Sequence, residues 1–335
     1  TVFNYDHRGN LTSQRQKLVG TADWVYLRYS YDLADRIRTV TYPSGRQVLY
    51  TRDDKGRVLS VKTRLNSTVA TWTILASGMT YEPFGPVKAM HLGNGLRAVS
   101  DWGDDGRLAS RRLYRLSDGT NLSRLTYGYD ADDNIVRITD TLDAGKTQKF
   151  AYDEAGRVSR VDVASGPVQR INYVNDNNGN RLRQVNRALP TDTAPLSTDT
   201  YSYTAGTNRL ASVRTGTGAA APTRTIQYDA RGNTDAETRS NGPAGAVSVT
   251  TAYDGYGRLT QYTRGTETLS FQYNGRDDRV AMTSASAGVR RYVYDPAGRV
   301  IGEYGFSAAD VKAEFIWLSP EVANDNAFGG DDGIG

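Results

Sequence analysis

The sequence predicts an all-β chain, an array of antiparallel β-hairpins. Three observations carry that prediction. A short pattern, aromatic–Asp–x–x–Gly–Arg–aliphatic in its fullest form, recurs about thirteen times between Tyr5 and Tyr294, a mean spacing of about 24 residues, within the range of repeat architectures. The flanking residues alternate apolar and polar with period two, the signal of half-buried strands. The 335 residues include 22 Tyr against 7 Phe and 4 Trp, with 34 Gly and 10 Pro, which suits sheet surfaces with wet hydroxyls joined by many tight turns.

In chain order the copies are YDHRGNL (Tyr5, Asp6, Gly9), YDLADRI (Tyr31, Asp32), YTRDDKGRV from Tyr50, YEPFGPV from Tyr81, WGDDGRL (Trp102, Gly106, Arg107), YDADDNI (Tyr129, Asp130) and YDEAGRV (Tyr152, Asp153, Gly156, Arg157). They continue as YVNDNNGNRL from Tyr173, YTAGTNRL from Tyr203, YDARGNT (Tyr228, Asp229, Gly232), YDGYGRL (Tyr253, Asp254, Gly257, Arg258), YNGRDDRV from Tyr273 and YDPAGRV (Tyr294, Asp295, Gly298, Arg299). The residues in parentheses are the candidate structural repeat positions. Spacings run from 19 residues (Tyr31 to Tyr50) to 31 (Tyr50 to Tyr81), so the loops differ in length.

The motif encodes its own turn. In YDEAGRV, Asp153 followed three positions later by Gly156 fits a type I turn whose glycine takes a positive φ, the common three-residue hairpin loop with a bulge. The Asp carboxylate accepts from a backbone N–H two residues on. Asp153 then pairs across with Arg157, and Tyr152 faces Val158 on the other side of the sheet. In YDPAGRV, Pro296 takes the turn position its fixed φ suits, and Val300, Gly302 and Tyr304 are expected to continue the strand. Three Ala/Thr/Gly/Pro-rich stretches, 186–199, 213–224 and 240–248, are expected to be loops between strands. Residues 306–318, FSAADVKAEFIWL, are the best candidate for a short helical turn.

Other function classes are poorly served. The net charge is +4, from 41 basic and 37 acidic residues spread along the chain, with no concentrated basic footprint for nucleic acid. There is no Cys, which removes disulfides, thiolate chemistry and Cys-based zinc sites and is compatible with export. No stretch approaches the apolar length of a membrane span. The chain begins TVFNYDHRGN, a start in mid-pattern that leads us to expect a piece of something longer. His7 and His91 are the only histidines; neither has the acid partner of a triad or a metal-binding neighbour. The acid pairs Asp53-Asp54, Asp104-Asp105, Asp132-Asp133 and Asp277-Asp278 sit in repeat turns, where Asp has a backbone role; Asp331-Asp332 lies in the tail. A glycosidase would need a carboxylate pair assembled from two strands. NDNNGN (Asn175–Asn180) fails the calcium-loop pattern at both ends and reads as a turn. GGDDGIG (Gly329–Gly335) reads as a flexible tail. GRV lacks the GK[ST] of a phosphate loop. No catalytic, cofactor or metal residue is nominated.

The repeated YDxxGRL pattern resembles the tyrosine–aspartate repeat of the Rhs and YD-repeat family, over residues 1 to about 304. The resemblance implies a strip of antiparallel strands winding into a spiral, hollow β-cocoon-like shell, of which this is a part. Relatives include bacterial Rhs polymorphic toxins, shell subunits of insecticidal toxin complexes, cell-wall-associated proteins and teneurins. The motifs DPAGR and GGDDGIG both depart from the DPxGL-type sequence that supports self-cleavage in toxin-bearing members. Phe315–Ala323 resembles the apolar segment that follows the last repeats. The implied organisation is a repeat shell over 1–304 and a post-repeat segment over 305–335. The implied function is a secreted, non-enzymatic shell that encloses or presents a C-terminal effector, with that effector and a delivery apparatus as partners and no cofactor. The alternative is a cell-surface module binding carbohydrate or protein, its exposed tyrosines stacking on glycan.

Overall fold

A computed structural model describes residues 1–83, 85–216, 221–240 and 246–319. Among them the chain forms 27 β-strands, from Val2–Tyr5 to Val311–Glu314, and one three-residue 3-10 turn, Ala144–Lys146. Strands pair antiparallel with their sequence neighbours. Gln148–Tyr152 pairs with Val158–Val163, and Trp24–Tyr31 pairs with Ile37–Thr41. Strands flank the three loop-like stretches and take up their ends: Arg181–Arg187 and Ser197–Tyr203, Leu210–Thr215 and Thr223–Tyr228, and Thr234–Ser240 and Val247–Tyr253; residues 217–220 and 241–245 lie outside the described residues. Residues 306–318 are not helical. Val311–Glu314 adds as a strand to Val300–Tyr304, with Tyr304 opposite Val311 and Gly302 opposite Glu314. The free edge of the last hairpin offers backbone partners that a one-turn helix would have to forgo.

Period-two alternation fails at one recurrent point. Tyr152 pairs with Val158, but Ala151 pairs with Arg160, so Ser159 is an extra residue. The same bulge follows Tyr5 (Leu11, then Ser13), Tyr129 (Ile135, then Arg137), Tyr228 (Thr234, then Ala236) and Tyr253 (Leu259, then Gln261). It also follows Tyr294, where Val300 is followed by Gly302 opposite Val293. Because of that bulge, Val300, Gly302 and Tyr304 do not share one face as strict alternation would have it. A bulge re-aims the next side chain and increases twist. Here it places Val158 and Val161, three apart, on the tyrosine face, since Val161 pairs with Phe150.

The chain divides into two compact units, Thr1–Leu122 with Phe271–Gly335, and Ser123–Ser270. The first unit holds the core. Leu27, Val40, Val48, Tyr50 and Val61 from the early strands pack with Val293, Ile301 and Tyr304 from the last hairpin, and Ile316, Trp317 and Leu318 close over them. Polar side chains tie the same surfaces: Gln14 and Gln16 donate Nε2–H to the carbonyls of Tyr294 (2.8 Å) and Tyr292 (2.9 Å). In the second unit only Thr147, Val185 and Ile226 are buried among the described residues. Among the described residues the tyrosines of its sheet face, Tyr127, Tyr152, Tyr201, Tyr228 and Tyr253, are only partly buried.

Candidate functional site

The recurrent site is the repeat turn. Around Asp153, the Asp N–H donates to the Arg157 carbonyl (2.8 Å) and the Gly156 N–H to the Asp153 carbonyl (2.9 Å). Asp153 Oδ1 accepts from the N–H groups of Ala155 and Arg157 (both 3.0 Å), and Oδ2 accepts from Arg157 Nε (2.8 Å). One carboxylate thus satisfies two backbone donors and one guanidinium. Gly156 sits at φ +72° with open space around a would-be Cβ, so backbone conformation alone selects glycine. The pattern repeats at Asp6–Asn10, Asp32–Arg36, Asp229–Asn233, Asp254–Arg258 and Asp295–Arg299. Where glycine is missing, Asp35, Asp133 and Asp277 take the left-handed conformation instead, which Asp tolerates better than most residues.

Hydrogen bonds hold the carboxyls of Asp6, Asp153 and Asp229 below the usual carboxylate range. The Arg157 backbone N–H is the largest cause at Asp153, the Asn10 backbone N–H at Asp6, and the Asn233 side-chain amide at Asp229. In WGDDGRL the Asp position is Gly103, and Asp105 takes over, accepting from Arg107 N (3.0 Å) and Nε (2.7 Å).

The repeat tyrosine is a stitch to the preceding turn. Tyr152 donates its hydroxyl to the carbonyl of Ile135 (2.7 Å), the residue just after the previous turn, Asp130–Asn134. The ladder between those strands stops at Arg137 and Lys149, so the Ile135 carbonyl lies past its end and needs another donor. Tyr31 does the same to Leu11 (2.7 Å), Tyr81 to Val58 (2.7 Å), Tyr203 to Arg181 (2.9 Å), Tyr228 to Leu210 (3.0 Å) and Tyr294 to Arg279 (2.7 Å). These hydroxyls are bound to protein, not left to solvent as composition suggested. A Phe at these positions would leave those carbonyls without the hydroxyl donor.

Two motif assignments shift. Arg52, not Tyr50, stands in the tyrosine register opposite Val58, and its Nη1 donates to the Ile37 carbonyl (2.6 Å) in place of a hydroxyl. Asn175, not Tyr173, faces Arg181. Counting back from the turn Asp, rather than forward from the nearest aromatic, finds both. The structure adds a turn that the motif alone does not mark: in TYPSGRQV the Tyr42 N–H donates to the Arg46 carbonyl (2.8 Å) and Gly45 N–H to the Tyr42 carbonyl (2.9 Å).

The remaining candidates are dispersed. His7 and Ser30 line one open cleft with Asp6, and no hydrogen bond joins the imidazole to either among the described residues. His91 lies on a separate strand, opposite Arg97 and Ser77. Asp53 is engaged by Arg57 (2.9 Å) and Asp278 by the Asn274 amide (2.9 Å). NDNNGN is a repeat turn, with Asp176 accepting from Asn178 and Asn180. Asp331-Asp332, the GGDDGIG tail and residues 320–323 of the apolar segment fall outside the described residues. No helix among the described residues is long and apolar enough to cross a membrane.

The RHS Repeat family model matches the chain at residues 31–68 and 129–168. The chain carries RHS repeats. Both matched segments begin at a repeat tyrosine, Tyr31 and Tyr129, which is the register the turn geometry sets. No curated protein matches the RHS-repeat chain. Among solved structures, the crystal structure of TcdB2-TccC3 without its hypervariable C-terminal region aligns at TM-score 0.54 and 14% identity, over 91% of this chain and 19% of that one. TcdB2-TccC3-TEV aligns at TM-score 0.52 and 14% identity, over 92% and 19%. The RHS-repeat chain shares their fold and spans about one fifth of their length.

Proposed function

We propose that this RHS-repeat chain is a structural shell segment of a secreted bacterial toxin, which encloses or presents a C-terminal effector and catalyses no reaction itself. The observation that carries the reading is the tyrosine face of the second unit. Tyr127, Tyr152, Tyr201, Tyr228 and Tyr253 are each only partly buried and share a sheet face with Phe150 and Val161, whereas the corresponding face of the first unit is covered by the chain's own Ile316, Trp317 and Leu318. A broad, half-polar aromatic surface suits an occupant held over its length rather than a small substrate. The fold shared with TcdB2-TccC3 supports the same reading.

The test is limited proteolysis of the longer polypeptide with and without its repeats. The C-terminal region should resist protease only when the repeats are present; equal digestion would overturn the proposal. The same half-exposed tyrosines favour glycan recognition as the second reading, and a glycan array separates the two. Saturable binding by the repeats alone, with no protection of the C-terminal region, would select the second.

A further inference from the structure

Each stitch in the array joins a donor on one repeat to the carbonyl that follows the preceding turn. The last turn, Asp295–Arg299, is followed by Val300, and no further YD motif lies within the described residues. Yet its carbonyl is taken: Trp317 donates its indole Nε1–H to Val300 O at 3.1 Å. Val300 holds the position that Ile135 holds for Tyr152 and Arg279 holds for Tyr294.

Two further contacts repeat the pattern. Arg57 lies over the ring of the following repeat's Tyr81 (4.8 Å), and Arg299 lies over the Trp317 ring (5.4 Å). Arg157 donates Nη1–H to the carbonyl of Asp176, the first residue of the next turn (2.9 Å); Arg299 donates Nη1–H to the carbonyl of Ser319 (2.9 Å). Trp317 supplies the donor and the ring of a following repeat, and Ser319 its carbonyl.

From this we infer that Trp317–Ser319 is a truncated repeat that fills the slot of the last turn and clasps the end of the array onto its beginning. The second half of the clasp is on the same segment. Tyr42 donates its hydroxyl to the Phe315 carbonyl (2.9 Å) and Tyr50 to the Trp317 carbonyl (2.8 Å). Arg46 pairs with Glu314 at 2.8 Å, and Glu314 also accepts from the Tyr304 hydroxyl (2.8 Å). Residues 314–319 therefore hold the last turn on one side and the turn Tyr42–Arg46 on the other, some 270 positions earlier in the chain. Tyrosine hydroxyls read the backbone of the clasp, while only Trp317 must present a side-chain donor. The inference rests on the turn geometry and is independent of what the shell holds.

The test compares W317A, W317F and W317Y in the whole chain by amide hydrogen exchange. Peptides covering 42–52 and 294–304 report the clasp, and a peptide covering 148–163 reports the rest of the fold. W317A should speed exchange in both clasp peptides by about tenfold or more, the scale of one lost part-buried hydrogen bond plus packing, and leave 148–163 unchanged. W317Y, which restores a side-chain donor, should be markedly slower to exchange than W317F, which fills space without one. A purely apolar plug predicts the reverse, Phe equal to or better than Tyr. That result, unchanged exchange in W317A, or loss of protection in W317Y equal to that in W317F would overturn the inference.

Discussion

At the scale of single residues, the turn is set jointly by its Asp, Gly and Arg, and the first two each make a separate prediction. A Cβ added to Gly156, at φ +72°, would meet nothing within 4 Å, so substitution there probes backbone strain alone. Gly156→Ala should destabilise its hairpin by about 1–2 kcal/mol. Gly156→Asp should cost roughly half as much, because Asp already serves at this position in Asp35, Asp133 and Asp277. Urea titration followed by exchange in residues 148–163 measures both. The turn carboxyls at Asp6, Asp153 and Asp229 are held below their ordinary range by hydrogen bonds made only in the folded state. A depressed folded pKa contributes stability that is complete above the unfolded value, about 3.9, and is lost as pH falls through the folded one. The hairpins should thus hold constant stability from pH 7 to about pH 5 and loosen progressively below about pH 4. Thermal melts across that interval check the sign; a loss beginning at about pH 6 would implicate other groups. This residue-scale chemistry is legible in the sequence, because the Asp carboxylate and the glycine act on backbone within five positions and the Arg157 Nε reaches the carboxylate four positions back.

At the scale of elements, the repeat is a hairpin plus a stitch, and only the first half can be read ahead. The pairing of Tyr152 with Val158 follows from the turn type. The bulge at Ser159 does not, since nothing in YDEAGRVSRV marks the extra residue except the apolar pair Val158 and Val161 set three apart instead of two or four. The role of the tyrosine hydroxyl escapes the sequence for a related reason. Its acceptor, the Ile135 carbonyl, is 17 positions away and lies beyond the end of a ladder, so its need for a donor emerges only once the strands are registered. Tyr152→Phe leaves that carbonyl without the hydroxyl and should cost about 1 kcal/mol. The loss should be read as faster exchange around residues 135–138, in the preceding hairpin, and not only at the mutated one. Equal exchange in the two proteins would mean that the hydroxyl adds nothing over a ring. The helical expectation at 306–318 fails because the decisive partner, the free edge of Val300–Tyr304, is a tertiary feature.

At the scale of the whole molecule, the two units carry different kinds of stability. Val48 and Val61 in the first unit are fully buried, and each such side chain contributes about 1.5–3 kcal/mol on burial. The second unit buries only Thr147, Val185 and Ile226 among its described residues and relies on turns, ladders and stitches. Exchange should accordingly be slowest in residues 40–61 and faster, by about a hundredfold, in 148–163. A uniform protection map would contradict that division. The closure of the first unit could not be read from the sequence, because it joins Tyr42 and Tyr50 to a segment some 270 residues later; the motif announces the unit of construction and not which copies meet. The half-exposed tyrosine face of the second unit is the basis of the proposed shell. The measurement that tests it most directly is an electron cryomicroscopy map of the longer polypeptide with its C-terminal region attached. The account predicts density for that region against the face bearing Tyr152, Tyr201 and Tyr228. Density for the same region entirely clear of the repeats, with that face open to solvent, would contradict it.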